Sequence, residues 1–423
     1  MLDIKFIREN IALVKEALVA KGLSFDLEFF LSLDEKRREI IRRIDELRNK
    51  KNMANEEIKN ILKEKKDPSS RIKEMRKVSL ELDELEKQFK EIKKSFHEAL
   101  FNIPNIPHSS VPRGDVSCNK IVKEWGKIKK FNFKPLTHIE LSEYLGIIDF
   151  RVASKICGAN FALFKEKGAR LVRALINFML DIHTSEHNYK EIFPPYLANR
   201  VSMVTTGQLP KLEEDMYRLK DDDYFLIPTA EVPLTNIYRD EIIEEDDLPI
   251  YYVGYTACFR REAGSYGRET KGLVRVHQFD KVELVKFTKP QDSYNELESL
   301  LEDACRIIEL LEIPYRVVVL ASQELSFAAA KCYDIEVYAP GVDKWLEVSS
   351  CSNFEDFQAR RGNIKYRDKR TKKLRFVHTL NGSGVALARL IIAILENHQN
   401  RDGSVTIPKK LIPYFYGKER IEK

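Results

Sequence analysis

Between Asp34 and Glu98 the chain has no glycine and one proline, Pro68, and its apolar residues return every three or four positions. Ile40, Ile44, Leu47, Ala54, Ile58 and Ile61 form one series, with Lys51 filling a seam position. Val78, Leu82, Leu85, Phe89, Ile92, Phe96 and Ala99 form a second. Such spacing gathers apolar side chains into one stripe, the seam of a coiled coil. Lys65-Lys66-Asp67-Pro68-Ser69-Ser70, between the two series, has turn and helix-capping chemistry. The pattern predicts an antiparallel two-helix coiled coil over residues 34–98, an arm roughly 45–50 Å long at about 1.5 Å per residue. Ahead of it, residues 1 to about 30 read as a small amphipathic cap, Leu2 to Ala20, ended near Gly22.

The periodicity stops at Asn102-Ile103-Pro104-Asn105-Ile106-Pro107-His108, and further proline and glycine follow to Asp115. Residues 1–102 therefore form one domain, 103–115 a linker and 116–423 a second domain. In the second domain, runs at Tyr224–Pro228, Tyr252–Glu262, Gly272–Phe287, Tyr315–Leu320 and Asp334–Ala339 read as strands. Gly168–His187, Gln291–Leu311 and Ser383–Gln399 read as helices. Neighbouring long strands without a βαβ rhythm predict an α+β fold, an antiparallel sheet flanked by helices.

With 423 residues and 43 % hydrophobic content, the chain exceeds one ordinary core. Its net charge of +5 neither demands nor excludes a nucleic-acid partner. Residues 34–98 hold 20 Lys/Arg against 16 Asp/Glu, most of that excess. The pattern alone leaves the arm open as a dimerisation coiled coil, a solvated spacer or a basic arm tracking RNA. Six cysteines occur singly, without CxxC or zinc-type spacing, so no zinc is expected and a reducing compartment fits. The N-terminus has no apolar signal core and no apolar run is long enough to span a bilayer, so a soluble, cytoplasmic protein without a membrane partner is expected.

Candidate chemistry concentrates between Cys258 and Glu283, where apolar alternation flanks a polar, glycine-punctuated middle. This reads as a long hairpin in which Arg260, Arg268 and Arg275 are suited to phosphate. A solvated basic hairpin is the plainer reading of the loop arginines. No Walker or Rossmann glycine loop is present, so any ATP must be held by side chains.

Phe259-Arg260-x-Glu262 with Arg275-x-His277-Gln278-Phe279 resembles motif 2 of the seryl-tRNA synthetases. Ile192-Phe193-Pro194-Pro195-Tyr196 resembles motif 1, the dimer interface of that family, and Thr379-Leu380-Asn381-Gly382-Ser383-Gly384 with Arg389 resembles motif 3. Thr206-Gly207-Gln208-Leu209-Pro210 and Pro228-Thr229-Ala230-Glu231 resemble its serine-site segments. Glu347-Val348-Ser349-Ser350-Cys351-Ser352-Asn353-Phe354, with Phe357-Gln358-Ala359-Arg360-Arg361, matches a further one, and the arm resembles the tRNA-binding arm.

The resemblance spans essentially the whole chain and implies a homodimeric class II ligase. Such an enzyme makes seryl-adenylate from serine and ATP with Mg²⁺ and passes serine to tRNA(Ser), and in this family commonly to tRNA(Sec). Arg260 is then expected on the α-phosphate, Arg389 on the γ-phosphate, Glu262 at the adenine amino group and Phe279 against its ring. Arg261, Val276, Val348 and Ser349 join them around ATP. Glu347 and Ser350 are implied for Mg²⁺. Thr229, Ala230 and Glu231 are implied at the serine ammonium, and Glu283 and Ser383 at its hydroxyl. Read without the resemblance, Glu231 and Glu283 are ordinary strand carboxylates and Arg389 is a helix-face arginine in an otherwise apolar helix.

Four positions depart from the family pattern: Arg261 for a small residue, Leu346 for an arginine, Val342 for a glutamine and Ala388 for a glycine. None is an assigned ATP or serine residue except Arg261, which is expected to supply the charge that Leu346 lacks. A carrier-protein ligase would lack the arm, and an inactive RNA-binding paralogue would have lost a phosphate arginine or Glu347; neither loss is seen.

Overall fold

The computed structural model describes residues 1–263 and 271–423. Arg268 lies outside the described residues. The chain divides into two compact units, one of residues 2–19 and 23–104, the other of Met1, residues 20–22 and residues 105–423.

In the first unit the arm is built from Leu27–Lys63, capped by the Asp26 carboxylate, and Ser69–Leu100. Ile44, Leu47 and Ala54 pack against Met75, Val78 and Leu82, with Ile40, Ile58, Leu85 and Phe89 half-buried beside them. The heptad series thus forms the seam, joined by Met75, which it did not include. Both helices overrun the expected limits because Leu27, Phe30, Leu33 and Leu100 extend the apolar stripe at the base. There Phe30 stacks on Phe96 at 5.1 Å, and buried Asp34 meets Arg37 at 2.8 Å and Arg38 at 3.2 Å. Higher up, exposed pairs cross the seam, Arg43–Glu81 at 2.6 Å and Arg48–Glu86 at 2.8 Å. The amphipathic cap over Leu2–Ala20 consists of two helices, Ile4–Glu9 and Ile11–Ala20. The break falls at Asn10, whose side chain donates to Phe6 O at 3.0 Å and caps the first helix.

The second unit is built on eight strands: β1 (Lys120–Trp125), β2 (Lys190–Glu191), β3 (Ile250–Phe259), β4 (Gln278–Thr288), β5 (Tyr315–Val319), β6 (Lys331–Ala339), β7 (Lys344–Asn353) and β8 (His378–Ala386). Their order across the sheet is β1-β5-β6-β7-β8-β4-β3-β2, antiparallel except for the β2–β3 pair. The helix Ser293–Leu310 lies against β7 and β8, and Leu387–Asn397 against β4 and β6. Leu175, Leu284, Leu300, Ile335, Leu380 and Ile391 are fully buried in the shared core. Among the described residues no helix is long and apolar enough to cross a membrane.

Two expectations are corrected. The helical run Ser383–Gln399 begins only at Leu387, because Ser383, Val385 and Ala386 pair with β4. The return limb expected from Gly272 becomes a strand only at Gln278. Before it, Leu273 and His277 give their amide hydrogens to His138 and to Asn160 O instead of a neighbouring strand.

Candidate active site

Side chains from β4, β7, β8, the segment after β3 and the helix Leu387–Asn397 converge on a cavity of about 410 Å³. Arg260 directly follows β3. Its backbone is pinned on both sides, its N–H donating to His277 O at 2.9 Å and its carbonyl meeting His277 Nδ1 at 3.0 Å. Its Nε donates to Pro228 O at 3.4 Å, and its guanidinium lies 5.1 Å from the Phe279 ring centre. Glu262 adopts a left-handed φ of 51°, which turns the chain away from β3, and its carboxylate pairs with Arg275.

Glu347 and Ser350 are three residues apart on β7, and in a regular strand they would face opposite sides. A bulge between Glu347 and Ser349 adds one residue and puts both on the cavity wall. The Ser350 hydroxyl donates to Glu347 Oε1 at 3.1 Å. Arg389, in the first turn of its helix, donates from Nε to Val274 O at 3.1 Å and from Nη1 to Glu347 O at 2.8 Å, and lies 3.4 Å from Glu347 Oε2. Asp334 stands opposite Ser350 on β6, and burial, then the Glu347 charge, pushes its carboxyl up to about 8.

At the other end Glu231, 5 % exposed, accepts from Gln358 Nε2 at 2.6 Å, while the Thr379 hydroxyl donates to the other end of that amide at 2.7 Å. Lys281 Nζ donates to Thr229 Oγ1 at 2.9 Å and sits 2.5 Å from Glu283 Oε2. Asn381 Nδ2 donates to Glu283 Oε1 at 2.8 Å. Burial, then the Glu283 charge, pushes Glu231 up to about 7. A further wall, Ser326–Ala328, is held by Lys21, whose Nζ donates to Ser326 O at 2.8 Å, Phe327 O at 3.2 Å and Ala329 O at 2.8 Å. Burial lowers that ammonium to about 7.

Most residues singled out in the sequence line this cavity: Thr229, Glu231, Ser383, Arg260, Glu262, Val276, Phe279, Glu347, Val348, Ser350 and Arg389. Three stand behind the wall. Ala230 packs in an apolar cluster, Ser349 turns inward to donate to Ser383 O at 2.6 Å, and Glu283 is fully buried under Lys281. Arg261 points elsewhere, its Nη1 donating to Glu214 O at 3.1 Å. Leu346 is 8 % exposed within the main core, so the expected charge compensation between Arg261 and Leu346 is not made. Lys281, Gln358 and Asn381 were not singled out as site residues. Lys281 was readable, since it precedes Glu283 by two positions and shares its strand face.

The oxygens of Glu347 and Ser350 fit a hard cation such as Mg²⁺. Among the described residues no three His, Cys, Asp or Glu side chains converge to hold a metal. An ion here would complete its shell with water and phosphate.

Residues 1–107 match the profile of the seryl-tRNA synthetase N-terminal domain, and residues 213–398 that of the class II tRNA synthetase core domain for G, H, P, S and T. The chain is 54 % identical to the serine–tRNA ligase of Thermodesulfovibrio yellowstonii over 98 % of its own length and 99 % of the relative. It is 53 % identical to that of Carboxydothermus hydrogenoformans over 100 % of both. The crystal structure of seryl-tRNA synthetase from Pyrococcus horikoshii complexed with ATP superposes with a TM-score of 0.92 at 39 % identity, covering 100 % of this chain and 99 % of that one. Full-length likeness of this order sets aside the carrier-protein ligase and the inactive paralogue. The chain belongs to the seryl-tRNA synthetase family and is a class II ligase that uses ATP to join serine to tRNA.

Proposed function

We propose that serine binds at the Glu231 end of the cavity and ATP along the wall formed by Arg260, Phe279, Glu347 and Arg389. The serine carboxylate attacks the α-phosphorus, the bond to the β-phosphate oxygen breaks, and pyrophosphate leaves seryl-adenylate behind. A ribose hydroxyl at the tRNA 3′ end then attacks the seryl carbonyl and AMP departs. The observation that carries this reading is the cavity's lining, where the buried carboxylate of Glu231 and the cations of Arg260 and Arg389 face one space.

Negative charge gathering on the α-phosphate is met by Arg260, which its backbone and Pro228 hold ready. Arg389 takes the γ-phosphate, and Glu262 and Phe279 the adenine, with Val276 and Val348 on the same wall and Ser349 supporting it from behind. Glu347 and Ser350 would hold Mg²⁺, which when bound would offset phosphate charge. Glu231 lines the cavity, and Glu283 lies behind it under Lys281. Lys281 offsets Glu283, leaving Glu231 with Thr229 for the ammonium, over the Ala230 backbone, and Glu283 with Ser383 for the hydroxyl.

A homodimer is supported by the motif 1 segment, where Phe193 is 76 % exposed. The arm grips tRNA(Ser), and tRNA(Sec) as a second acceptor, through duplex shape, supported by its solvated, mildly basic surface. Six free cysteines support a cytoplasmic setting.

Serine-dependent exchange of labelled pyrophosphate into ATP tests the site, with alanine and threonine alongside. Serine should drive exchange, and alanine should be rejected by about 10⁴, because it lacks the hydroxyl that the site is built to hydrogen-bond. Equal exchange with alanine would overturn the Glu283–Ser383 assignment. No exchange with serine would overturn the cavity reading.

A further inference from the structure

The helix carrying Arg389 has one other ionisable group, Glu396, which is wholly buried two turns further along. All of this carboxylate's acceptor capacity is used. Oε1 accepts from His138 N at 2.8 Å and meets His138 Nδ1 at 3.0 Å; Oε2 accepts from Gly341 N at 2.8 Å and Val342 N at 3.1 Å. His138, 1 % exposed, opens the helix His138–Leu145, which a Thr137–Glu140 capping box holds in place. Its second ring nitrogen, Nε2, accepts from Leu273 N at 3.2 Å.

The partners dictate the tautomer. A backbone N–H faces Nε2, so that nitrogen is bare, and the ring proton sits on Nδ1 toward the carboxylate. Leu273 belongs to the limb between the described end of the motif 2 loop and β4, where no strand pairing holds the backbone. The next residue, Val274, supplies the carbonyl that receives Arg389 Nε at 3.1 Å. The contacts close a ring: Glu396 to His138, His138 to Leu273, Val274 to Arg389, and back along one helix to Glu396. Gly272 fits the ring for a spatial reason, since its φ is +67° and a Cβ there would stand 2.3 Å from His138 Nε2.

We propose that His138 is a positioning residue for the nucleotide end of the site: with Glu396 it latches the Leu273–Val274 limb and thereby aims the Arg389 guanidinium. This rests on the reading that Arg389 contacts ATP. An imidazole is suited to the task because it is rigid and presents a donor and an acceptor on opposite edges, joining a buried carboxylate to a backbone amide that has no strand partner.

His138→Asn keeps a donor toward Glu396 and loses the acceptor for Leu273, and His138→Gln restores an acceptor near the Nε2 position. Both are compared in pyrophosphate exchange, with ATP and serine varied separately. Misaiming a guanidinium without removing it should lower kcat/KM for ATP by about 10- to 100-fold in His138→Asn. KM for serine should stay near the unaltered value, and His138→Gln should recover most of the loss. Gly272→Ala, which crowds the imidazole from the other side, should repeat the ATP-specific loss should His138→Asn fold poorly.

Arg389→Ala separates the two layers of the reading. If it weakens ATP use and His138→Asn does not, the latch is wrong and the ATP assignment stands. If Arg389→Ala leaves ATP use intact, the assignment itself fails and the latch with it. Equal losses for ATP and serine in His138→Asn would reduce His138 to a fold residue and overturn the proposal. So would a loss as large in the Arg389→Ala background as in the unaltered enzyme.

Discussion

Along the two arm helices every buried residue is apolar except Asp34, whereas in the catalytic unit Glu231, Lys281, Glu283, Lys286 and Glu396 are all 6 % exposed or less. Arm charges pair across the seam in water, where an ion pair contributes little and losing one leaves nothing stranded. Charges in the catalytic unit are desolvated, and removing one strands its partner inside the protein. The arm is a shape held by one apolar seam. The site is a set of groups held in mutual dependence, so the same type of substitution should act very differently in the two.

The largest effect sharpens the comparison at the level of whole elements. Replacing residues 34–98 by a short glycine-serine turn should abolish tRNA charging while pyrophosphate exchange continues. Loss of exchange would mean that the arm supports the site and would break the contrast. Next, Arg260→Ala should lower the exchange rate by about 10²–10³, the scale of one preorganised charge-stabilising group, without lowering Tm. An equal loss of Tm would make Arg260 structural.

Glu231→Gln tests desolvation directly. Burial raises this carboxyl from 4.5 to about 7, so the free enzyme loses its ammonium anchor as pH falls through 7, and kcat/KM for serine should decline on that side. The stability sign is opposite. Between those values the folded protein keeps a proton that the unfolded chain has released, so stability declines as pH rises from about 4.5 to 7. The variant should therefore flatten the acid limb, raise KM for serine by about tenfold and melt higher than the parent at pH 8. A lower Tm at pH 8 would contradict the cause assigned to the shift.

In the arm, Ile44→Val should lower stability by about 0.5–1.5 kcal/mol, the loss of one buried methylene, with exchange untouched. Smallest of all, Arg48→Ala should change stability by less than about 1 kcal/mol, since its ion pair is exposed. A larger effect from Arg48 than from Ile44 would invert the contrast.

Most of the arm could be read before folding because its seam repeats within each helix. Strands β3, β4, β5 and β6 were readable for a similar reason, carrying alternating or continuous β-branched and aromatic runs. Strands β7 and β8 were not, since Glu347–Asn353 and Thr379–Gly384 are rich in Ser, Asn and Gly and owe their conformation to paired neighbours. The break at Asn10 and the late start of β4 went unread because each depends on where one side chain or amide finds a partner.

The catalytic residue types were visible in the motifs, but their arrangement was not. Nothing in the order of letters announces the bulge that turns Glu347 and Ser350 to one wall or the Glu396–His138–Leu273 chain. Local periodicity dictates which face of an element is apolar, because that depends only on helix and strand geometry within a few residues. Which carboxylate stays buried, which cation answers it and which way Arg389 points depend on groups up to hundreds of residues apart, and only the folded chain brings those into one low-dielectric place.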